Sequence, residues 1–207
     1  MRRLRGPTGR RYTPVFYVRQ MYEPSSFFTR AQIARVLETL DRNRFSVCFT
    51  GHRFMTSKDL PMIVERLDQL LEICYQRGYR DFLCGGALGF DTLVAEHVIS
   101  LRKKHADVRL VFVLPCPVQV KFWSEKQAQH YERLLYAAND IRVLSETYFD
   151  GCMQVRNRYM VDHSSMCICY CRHAKSGTAS TVSYAFKKQL PVLNTAMEDV
   201  CAAFPTN

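Results

Sequence analysis

The sequence predicts an α/β fold: a Rossmann-like, doubly wound domain whose mainly parallel sheet carries helices on both faces. Strand-like and helix-like segments alternate from residue 45 onward at the spacing of repeated βα units. The strand-like segments are short apolar runs, which is typical of strands buried on both faces. Glycines stand where several of these strands turn into helices. With 207 residues and 47% hydrophobic content, the chain can bury one sizeable core.

The predicted elements follow one another in regular order. The strand-like segments are RFSVCFT at 44–50, DFLCGG at 81–86, VRLVFVLP at 108–115, IRVLS at 141–145, MCICYC at 166–171 and PVLNT at 191–195. Helical patterns occupy 57–78, 91–104, 118–139, 151–165 and about 177–188. Gly78 is a stop signal for the first helix, and Asn139 ends the third.

The net charge of +10 lies mostly in the N-terminal part of the chain. Residues 1–44 hold ten arginines against Glu23, Glu38 and Asp41, a net +7, which leaves +3 for the other 163 residues. We therefore predict a basic N-terminal extension over 1–44, with one amphipathic helix in TRAQIARVLETLDRN, and a single domain over 45–207. We expect the extension to give weak, salt-sensitive nucleic-acid binding at most.

The cysteines and the lengths of the apolar runs indicate where in the cell the protein is located. Nine cysteines lie mostly inside apolar segments, with no secretory signal ahead of them, which predicts reduced thiols and a cytoplasmic location. No apolar run approaches the roughly 18 residues that a membrane span needs, so we expect no membrane partner. Cys167, Cys169 and Cys171 alternate along one strand and would share one face, where parallel projections do not converge as metal ligands do. No metal site is predicted.

Three loops that leave strands toward helices carry the candidate chemistry, because doubly wound folds bind ligands outside the carboxyl ends of their strands. They are TGHRFMTS, CGGALGFD and CRHAKSGTAS. Their glycines let backbone N–H groups approach a phosphate, although none of the loops matches G-x-G-x-x-G or a P-loop. The candidate ligand-binding residues in these loops are Gly51, His52, Arg53, Gly85, Gly86, Gly89, Asp91, Ser176, Gly177 and Thr178.

The motifs TGHR, GGALGFDTLVAE, RNRYMVDHSS and KSGT, in that order, resemble the YpsA-like family of the SLOG superfamily, over about residues 45–195. That superfamily groups the DNA-processing Smf proteins with the lonely-guy phosphoribohydrolases. The resemblance implies a Rossmann-like homodimer that binds a small nucleotide-derived ligand, of the NAD, ADP-ribose or nucleoside phosphate type, with no cofactor required. Residues 1–44 lie outside it.

The His-Arg pair of TGHR occupies the edge where such a ligand would lie. Arg53 offers a forked cation for a phosphate. His52 is a donor to a phosphate or ribose oxygen, or an acid or base if the protein is an enzyme. The alternative is that both side chains only tie neighbouring backbone carbonyls together.

Two acidic residues follow the second glycine loop. Asp91 is read first as a helix N-cap and second as an acceptor for a ribose hydroxyl. Glu96 is the candidate general base if a reaction is catalysed.

Arg156 and Asn157 match the "RN" of the resemblance. We predict that they contact the ligand or brace the TGHR loop; the alternative is a helix surface.

An aromatic stripe is predicted on the third helix. Trp123, Gln127 and Tyr131 recur every four residues and would stack on a base or contact a second subunit, with core packing as the alternative.

The loop SGTAST bears on enzymatic activity. The lonely-guy enzymes carry G-G-x-G-T-x-x-E, and aligning on Gly177 and Thr178 places Thr181 at the position of that glutamate. Threonine supplies no carboxylate, so phosphoribohydrolase activity would need Glu96 or Asp91 instead. The leading hypothesis is a nucleotide-ligand binder, with nucleotide N-glycoside hydrolysis second and single-stranded DNA binding of Smf type third.

Overall fold

A computed structural model describes residues 46–120 and 123–196. The predictions for residues 1–44 and for Cys201 lie outside this range. In chain order the elements are β1 (Ser46–Gly51), α1 (Leu60–Gln76), β2 (Asp81–Cys84), α2 (Phe90–Lys104), β3 (Arg109–Leu114), α3 (Glu125–Tyr136), β4 (Asp140–Val143), α4 (Cys152–Asp162), β5 (Met166–Tyr170), α5 (Gly177–Lys187) and β6 (Val192–Asn194).

The strands of the described region form one parallel sheet in the order β4-β3-β2-β1-β5-β6. From the central β1 the chain moves outward through β2, β3 and β4, and then returns to the other side of β1 as β5. The strand order therefore reverses between β1 and β5, and the loops that follow these two strands face each other at the carboxyl edge. The predicted Rossmann-like, doubly wound fold is confirmed.

Alternate residues of the strands fill two separate cores. Val47 and Phe49 of β1 pack with Ile63 of α1 and Val94 of α2 in the first core. On the opposite face, the second core contains Cys48, Leu83, Val111, Met160 of α4 and Val182 of α5. α1, α2 and α3 cover one side of the sheet and α4 and α5 the other. The inner strands are therefore buried on both faces and mostly apolar, whereas the edge strand β4 alternates between half-buried and exposed residues.

The cysteines of the described residues are buried and free. Cys167, Cys169 and Cys171 all lie in the second core beside Cys48, as the alternation predicts. A hydrogen bond with Cys48 and burial raise the pKa of Cys167, so this thiol stays protonated. Within 46–120 and 123–196, no group of three or more His, Cys, Asp or Glu side chains is arranged to hold a metal ion. No helix of this part of the chain is long and apolar enough to cross a membrane.

The predicted start of the third helix is wrong. α3 begins at Glu125, because Ser124 and Gln127 form a capping box that ends the preceding loop. Trp123 therefore precedes the helix, and Tyr131 is buried, with its ring 5.3 Å from that of Trp123 in an edge-to-face contact. Tyr131 lies in the core and the partly buried Trp123 packs against it, whereas Gln127 is exposed. The homodimer stays a prediction from the resemblance alone.

The helix ends show one confirmed signal and one correction. Gly78 has a φ of 93° just beyond α1, as a helix stop requires. Asn139 lies past the end of α3, which stops at Tyr136, and its side-chain oxygen accepts a hydrogen bond from the Leu110 N–H at 2.9 Å. Asn139 therefore joins α3 to β3 rather than capping the helix.

Candidate functional site

His52 joins the loops that follow β1 and β5. Its Nε2 accepts hydrogen bonds from the backbone N–H groups of Arg172 (2.8 Å) and His173 (3.3 Å). The backbone N–H of His52 donates to the Tyr170 carbonyl at 3.2 Å. An acceptor Nε2 requires a neutral ring with its proton on Nδ1. Burial and the charges of His173 and Arg172 lower the pKa of His52, which favours this neutral form. Only Nδ1–H is left to donate to a ligand.

Two of the candidate glycines let the loops after β1 and β2 pack closely. A Cβ on Gly51 would lie 2.4 Å from the Phe90 side chain. Gly89 has a φ of +84°, and a Cβ there would lie 2.2 Å from the Arg53 carbonyl oxygen. These glycines therefore serve chain packing, and their contact places the exposed Arg53 side chain over the start of α2.

Gly85 makes room for an arginine that crosses the edge of the sheet. Arg156 belongs to α4, on one face, and its Nη1 lies 3.9 Å from Oδ2 of Asp91, at the start of α2 on the other face. A Cβ on Gly85 would lie 1.7 Å from this Nη1. Arg156 is 5% exposed, and within the described residues its Nε and Nη1 have no hydrogen-bond partner. The helix-surface alternative for Arg156 is wrong, and it braces the loop after β2 rather than TGHR.

Asp91 is the second residue of α2, not its N-cap. The helix begins at Phe90 with Gly89 in the cap position, and the Asp91 carboxylate accepts a hydrogen bond from the Ala87 N–H at 3.1 Å. The N-cap prediction is wrong because Gly89 turns the chain into the helix two residues earlier. Burial raises the pKa of Asp91, and the opposing effects of Arg156, Ala87 and Arg53 do not cancel the shift. The carboxylate instead joins the start of α2 to the loop after β2. Gly86, in the same loop, also has a positive φ, of +68°.

The start of α5 combines a satisfied cap with an open glycine. The Ser176 hydroxyl accepts from the Ala179 N–H at 3.0 Å and donates to the His173 carbonyl at 2.9 Å. Gly177 is exposed, and a Cβ there would meet no atom within 4 Å, whereas Thr178 is buried. The first N–H groups of a helix have no partner inside it, and the one at Gly177 lies beside open space.

Asn157 lies against α5 rather than at the open edge. Its side-chain N–H donates to Oγ1 of Thr181 at 2.8 Å, and the Thr181 hydroxyl donates to the Gly177 carbonyl at 3.0 Å. Thr181 is 5% exposed. The position of the lonely-guy glutamate is therefore occupied by a buried hydroxyl that braces α4 against α5.

Glu96 is not brought together with the three loops. It is exposed on α2, six residues beyond the helix start, and pairs with His130 of α3 at 3.0 Å. The side chain that sequence reasoning named as general base is a surface ion-pair partner.

Sequence reasoning missed a polar group at the same edge, formed by Asp59, Tyr170 and Arg172. The Tyr170 hydroxyl donates to Oδ2 of Asp59 at 3.1 Å, and Nη1 of Arg172 donates to the same oxygen. Asp59 and Tyr170 are buried. Arg172 lies two residues beyond the end of β5, as Arg53 lies two residues beyond the end of β1. This shared position is the signal that could have found it.

A protein-family model named YpsA and described as "YspA SLOG family" matches residues 48–197, which is well over half of the chain. The chain belongs to the YpsA family of SLOG proteins. Its relatives include an uncharacterized SPbeta prophage-derived protein YoqJ of Bacillus subtilis, 33% identical over 63% of this chain and 85% of the relative. The UPF0398 protein BH1768 of Halalkalibacterium halodurans is 26% identical over 64% of this chain and 71% of that protein.

Two solved structures show the same fold as this YpsA-family chain. DNA processing protein A of Helicobacter pylori, described for its single-stranded DNA binding mode, has a TM-score of 0.53 and 22% identity over 74% of this chain. DNA processing protein A of Streptococcus pneumoniae has a TM-score of 0.54 and 15% identity over 80% of this chain. The YpsA-family chain covers 66% and 64% of these two proteins. At such identities the likeness establishes the fold alone.

Proposed function

We propose that this YpsA-family protein binds a phosphate-bearing nucleotide, of the ADP-ribose, NAD or nucleoside phosphate type, where β1 and β5 end. One observation carries the proposal: the two loops that His52 joins are basic. They bring Arg53, Lys58, Arg172 and Lys175 to one edge, and their single acid, Asp59, is buried and already paired with Arg172. An excess of positive charge at a strand-order reversal favours an anionic ligand.

The backbone of the β5–α5 connection supports the same ligand. The N-terminus of α5 carries unpaired N–H groups and the positive end of the helix dipole, and the lack of a side chain at Gly177 leaves that end accessible. The hydrogen bonds of Ser176 fix the turn before the helix. A phosphate here would meet amides that need little reorganisation.

Calorimetric titration of the full chain with ADP-ribose, NAD, AMP and adenosine tests the proposal. We expect the phosphate-bearing compounds to bind and adenosine to bind much more weakly. Arg53→Ala should lower the affinity for ADP-ribose about tenfold, because a charge-assisted contact is lost. Lys103→Ala, which removes an exposed charge near the end of α2, is the control and should change nothing. Failure of every compound to bind would refute the proposal.

Single-stranded DNA is the second candidate ligand, and an exposed aromatic ring favours it. Phe54 follows Arg53 in the loop after β1 and is 90% exposed. A ring beside a cation is the arrangement on which an unpaired base stacks, and the Helicobacter neighbour is described as binding single-stranded DNA. Fluorescence anisotropy with a labelled oligothymidine, at low and high salt, separates the candidates: tight binding lost in Phe54→Ala favours DNA, and weak binding lost on deleting residues 1–28 assigns it to the basic extension.

Hydrolysis of an N-glycosidic bond is not favoured at this edge, because Thr181 is buried and Glu96 is paired with His130. We expect no release of free base when AMP or NAD is incubated with the protein and analysed by chromatography. Steady release that Glu96→Gln abolishes would make the protein an enzyme.

A further inference from the structure

Asp59 stands at the N-cap of α1 but does not cap the helix. Its side chain makes no hydrogen bond to the amides of the first turn. The carboxylate instead accepts from Tyr170 and Arg172, both at the end of β5. An aspartate at this position usually caps its own helix, so the departure links α1 to the loop after β5 at the cost of a local hydrogen bond.

The carboxylate of Asp59 is held in its charged form. Burial pushes its pKa upward, but hydrogen bonds from Thr56 and Tyr170 and the charge of Arg172 outweigh burial, and the pKa lies below its ordinary value. Asp59 is 3% exposed and Tyr170 1% exposed, so solvent does not compete for these contacts. The guanidinium of Arg172 is therefore held by a permanent negative charge.

Arg172 is held at its backbone N–H and at one nitrogen of its guanidinium, and part of its side chain is exposed. Its backbone N–H is held by Nε2 of His52, and its Nη1 by Asp59. Its side chain is 33% exposed, and the guanidinium also interacts with the Tyr170 hydroxyl. By contrast, no hydrogen bond or ion pair within the described part of the chain holds the side chain of Arg53. A guanidinium already fixed loses less rotamer entropy when it binds an anion.

We propose that Arg172 is the principal side chain that contacts the phosphate of the ligand, and that Asp59 and Tyr170 are positioning residues for it. This inference rests on the proposed nucleotide binding and adds the residue that recognises the phosphate. The guanidinium carries one positive charge, which Asp59 balances, but the side chain is still partly exposed. Its remaining N–H groups are the donors to which an anion would bind.

The test measures phosphate recognition rather than total affinity, as the ratio of the affinities for AMP and adenosine. We expect Arg172→Ala to lower the affinity for AMP about 10- to 150-fold and to leave adenosine unchanged, a larger loss than Arg53→Ala gives. Arg172→Lys should restore part of it. Tyr170→Phe keeps the buried ring and should lower the ratio about threefold to tenfold.

The chain supplies a matched control. The Tyr184 hydroxyl also donates to an aspartate, Asp162, which pairs with Lys188, but this group lies at the other edge of the sheet. Tyr184→Phe should leave the AMP-to-adenosine ratio unchanged. If Arg172→Ala keeps the ratio, or loses less than Arg53→Ala, the inference is overturned while the proposed function stands. A Tyr170→Phe ratio equal to that of the wild type removes the positioning role, and a wild type that binds neither compound removes both proposals.

Discussion

Two groups of the same composition, a tyrosine, an aspartate and a cation, lie at opposite edges of the sheet. At the carboxyl edge Asp59 accepts from Tyr170 and Arg172, and both Asp59 and Tyr170 are almost wholly buried. At the amino edge, where α4 and α5 end, Asp162 accepts from Tyr184 and pairs with Lys188 at 2.8 Å. There the aspartate side chain is 35% exposed and the lysine 49%.

The comparison shows that burial, not composition, decides what such a group does. Burial raises the pKa of both aspartates, but hydrogen bonds and the neighbouring cations outweigh it, so the pKa of each lies below its ordinary value. At the amino edge water and salt screen the charges, so the pair adds little to stability. At the carboxyl edge Asp59 and Tyr170 are shielded from water, and they fix an arginine whose side chain is still partly exposed.

The largest effect is expected at a buried pair of the carboxyl edge, Arg156 with Asp91. Gly85→Ala would place a Cβ 1.7 Å from the Arg156 guanidinium and displace it from the carboxylate. We expect the free energy of unfolding to fall by about 3 kcal/mol or more, because two buried charges lose each other. Chemical denaturation measures this loss. Gly177→Ala, where a Cβ meets nothing, is the control and should give between no change and a gain of about 1 kcal/mol. Equal losses for Gly85→Ala and Gly177→Ala would contradict the buried contact of Arg156 with Asp91 across the edge of the sheet.

Asp59→Asn compares the buried triad, Asp59 with Tyr170 and Arg172, with the exposed triad, Asp162 with Tyr184 and Lys188. Asparagine keeps one side-chain oxygen as an acceptor but removes the charge, so Arg172 loses its buried ionic partner. We expect a loss of about 1 to 3 kcal/mol in the free energy of unfolding. Asp162→Asn should have a much smaller effect, because Lys188 and Tyr184 return to solvent. Denaturation of both variants at low and high salt decides the matter. A loss for Asp162→Asn as large as that for Asp59→Asn would show that burial is not the difference.

The fold was predictable because it depends on repeated local signals. β5, Met166–Tyr170, is a run of apolar residues between turns, and α1 has a clear apolar stripe at helical spacing. The errors came where one local signal masked another. The helical spacing of Trp123 and Gln127 hid the capping box that starts α3. Asp91 looked like a cap because Gly89 was read as a ligand-binding glycine rather than as the residue at which α2 begins.

The site was only partly predictable because its decisive contacts join residues far apart in sequence. The motifs placed His52 and Arg53 at the correct edge, but the partner of Asp59 is 113 residues away at Arg172. No spacing rule connects them, and an aspartate before a helix is read as a cap. The passage of Arg156 over Gly85 likewise depends on how α4 and β2 are packed together.

Tyr170→Phe removes one hydroxyl from the buried triad and should cost about 1 kcal/mol in the free energy of unfolding, because Asp59 keeps Arg172 but loses a shielded donor. Tyr184→Phe removes the corresponding hydroxyl at the exposed edge, where water replaces it, and should be close to neutral. Thermal unfolding of the two variants under identical conditions gives the comparison. A larger loss of stability for Tyr184→Phe than for Tyr170→Phe would contradict the claim that burial makes the carboxyl-edge group the more stabilising one.

The smallest effect is expected from the protonation of His52. Its pKa is lowered by burial and by the charges of His173 and Arg172, from an ordinary value of 6.5. The unfolded chain therefore takes up this proton at a higher pH than the folded protein does, and between the two pKa values the unfolded state binds more protons. The contribution of His52 to the free energy of unfolding is fully present above about pH 6.5 and declines as the pH falls below it.

His52→Gln isolates this contribution, because the glutamine oxygen can accept the N–H groups of Arg172 and His173 without titrating. We expect the melting temperature of His52→Gln to fall less than that of the wild type between pH 6.5 and pH 5. His163→Gln is the control at the amino edge, where the ring of His163 is exposed and stacks on Tyr159. That variant should keep the pH response due to His52, since the proton acceptor joining the loops after β1 and β5 is intact. A wild-type curve that matches His52→Gln throughout this range would mean that His52 does not carry the connection between the two loops.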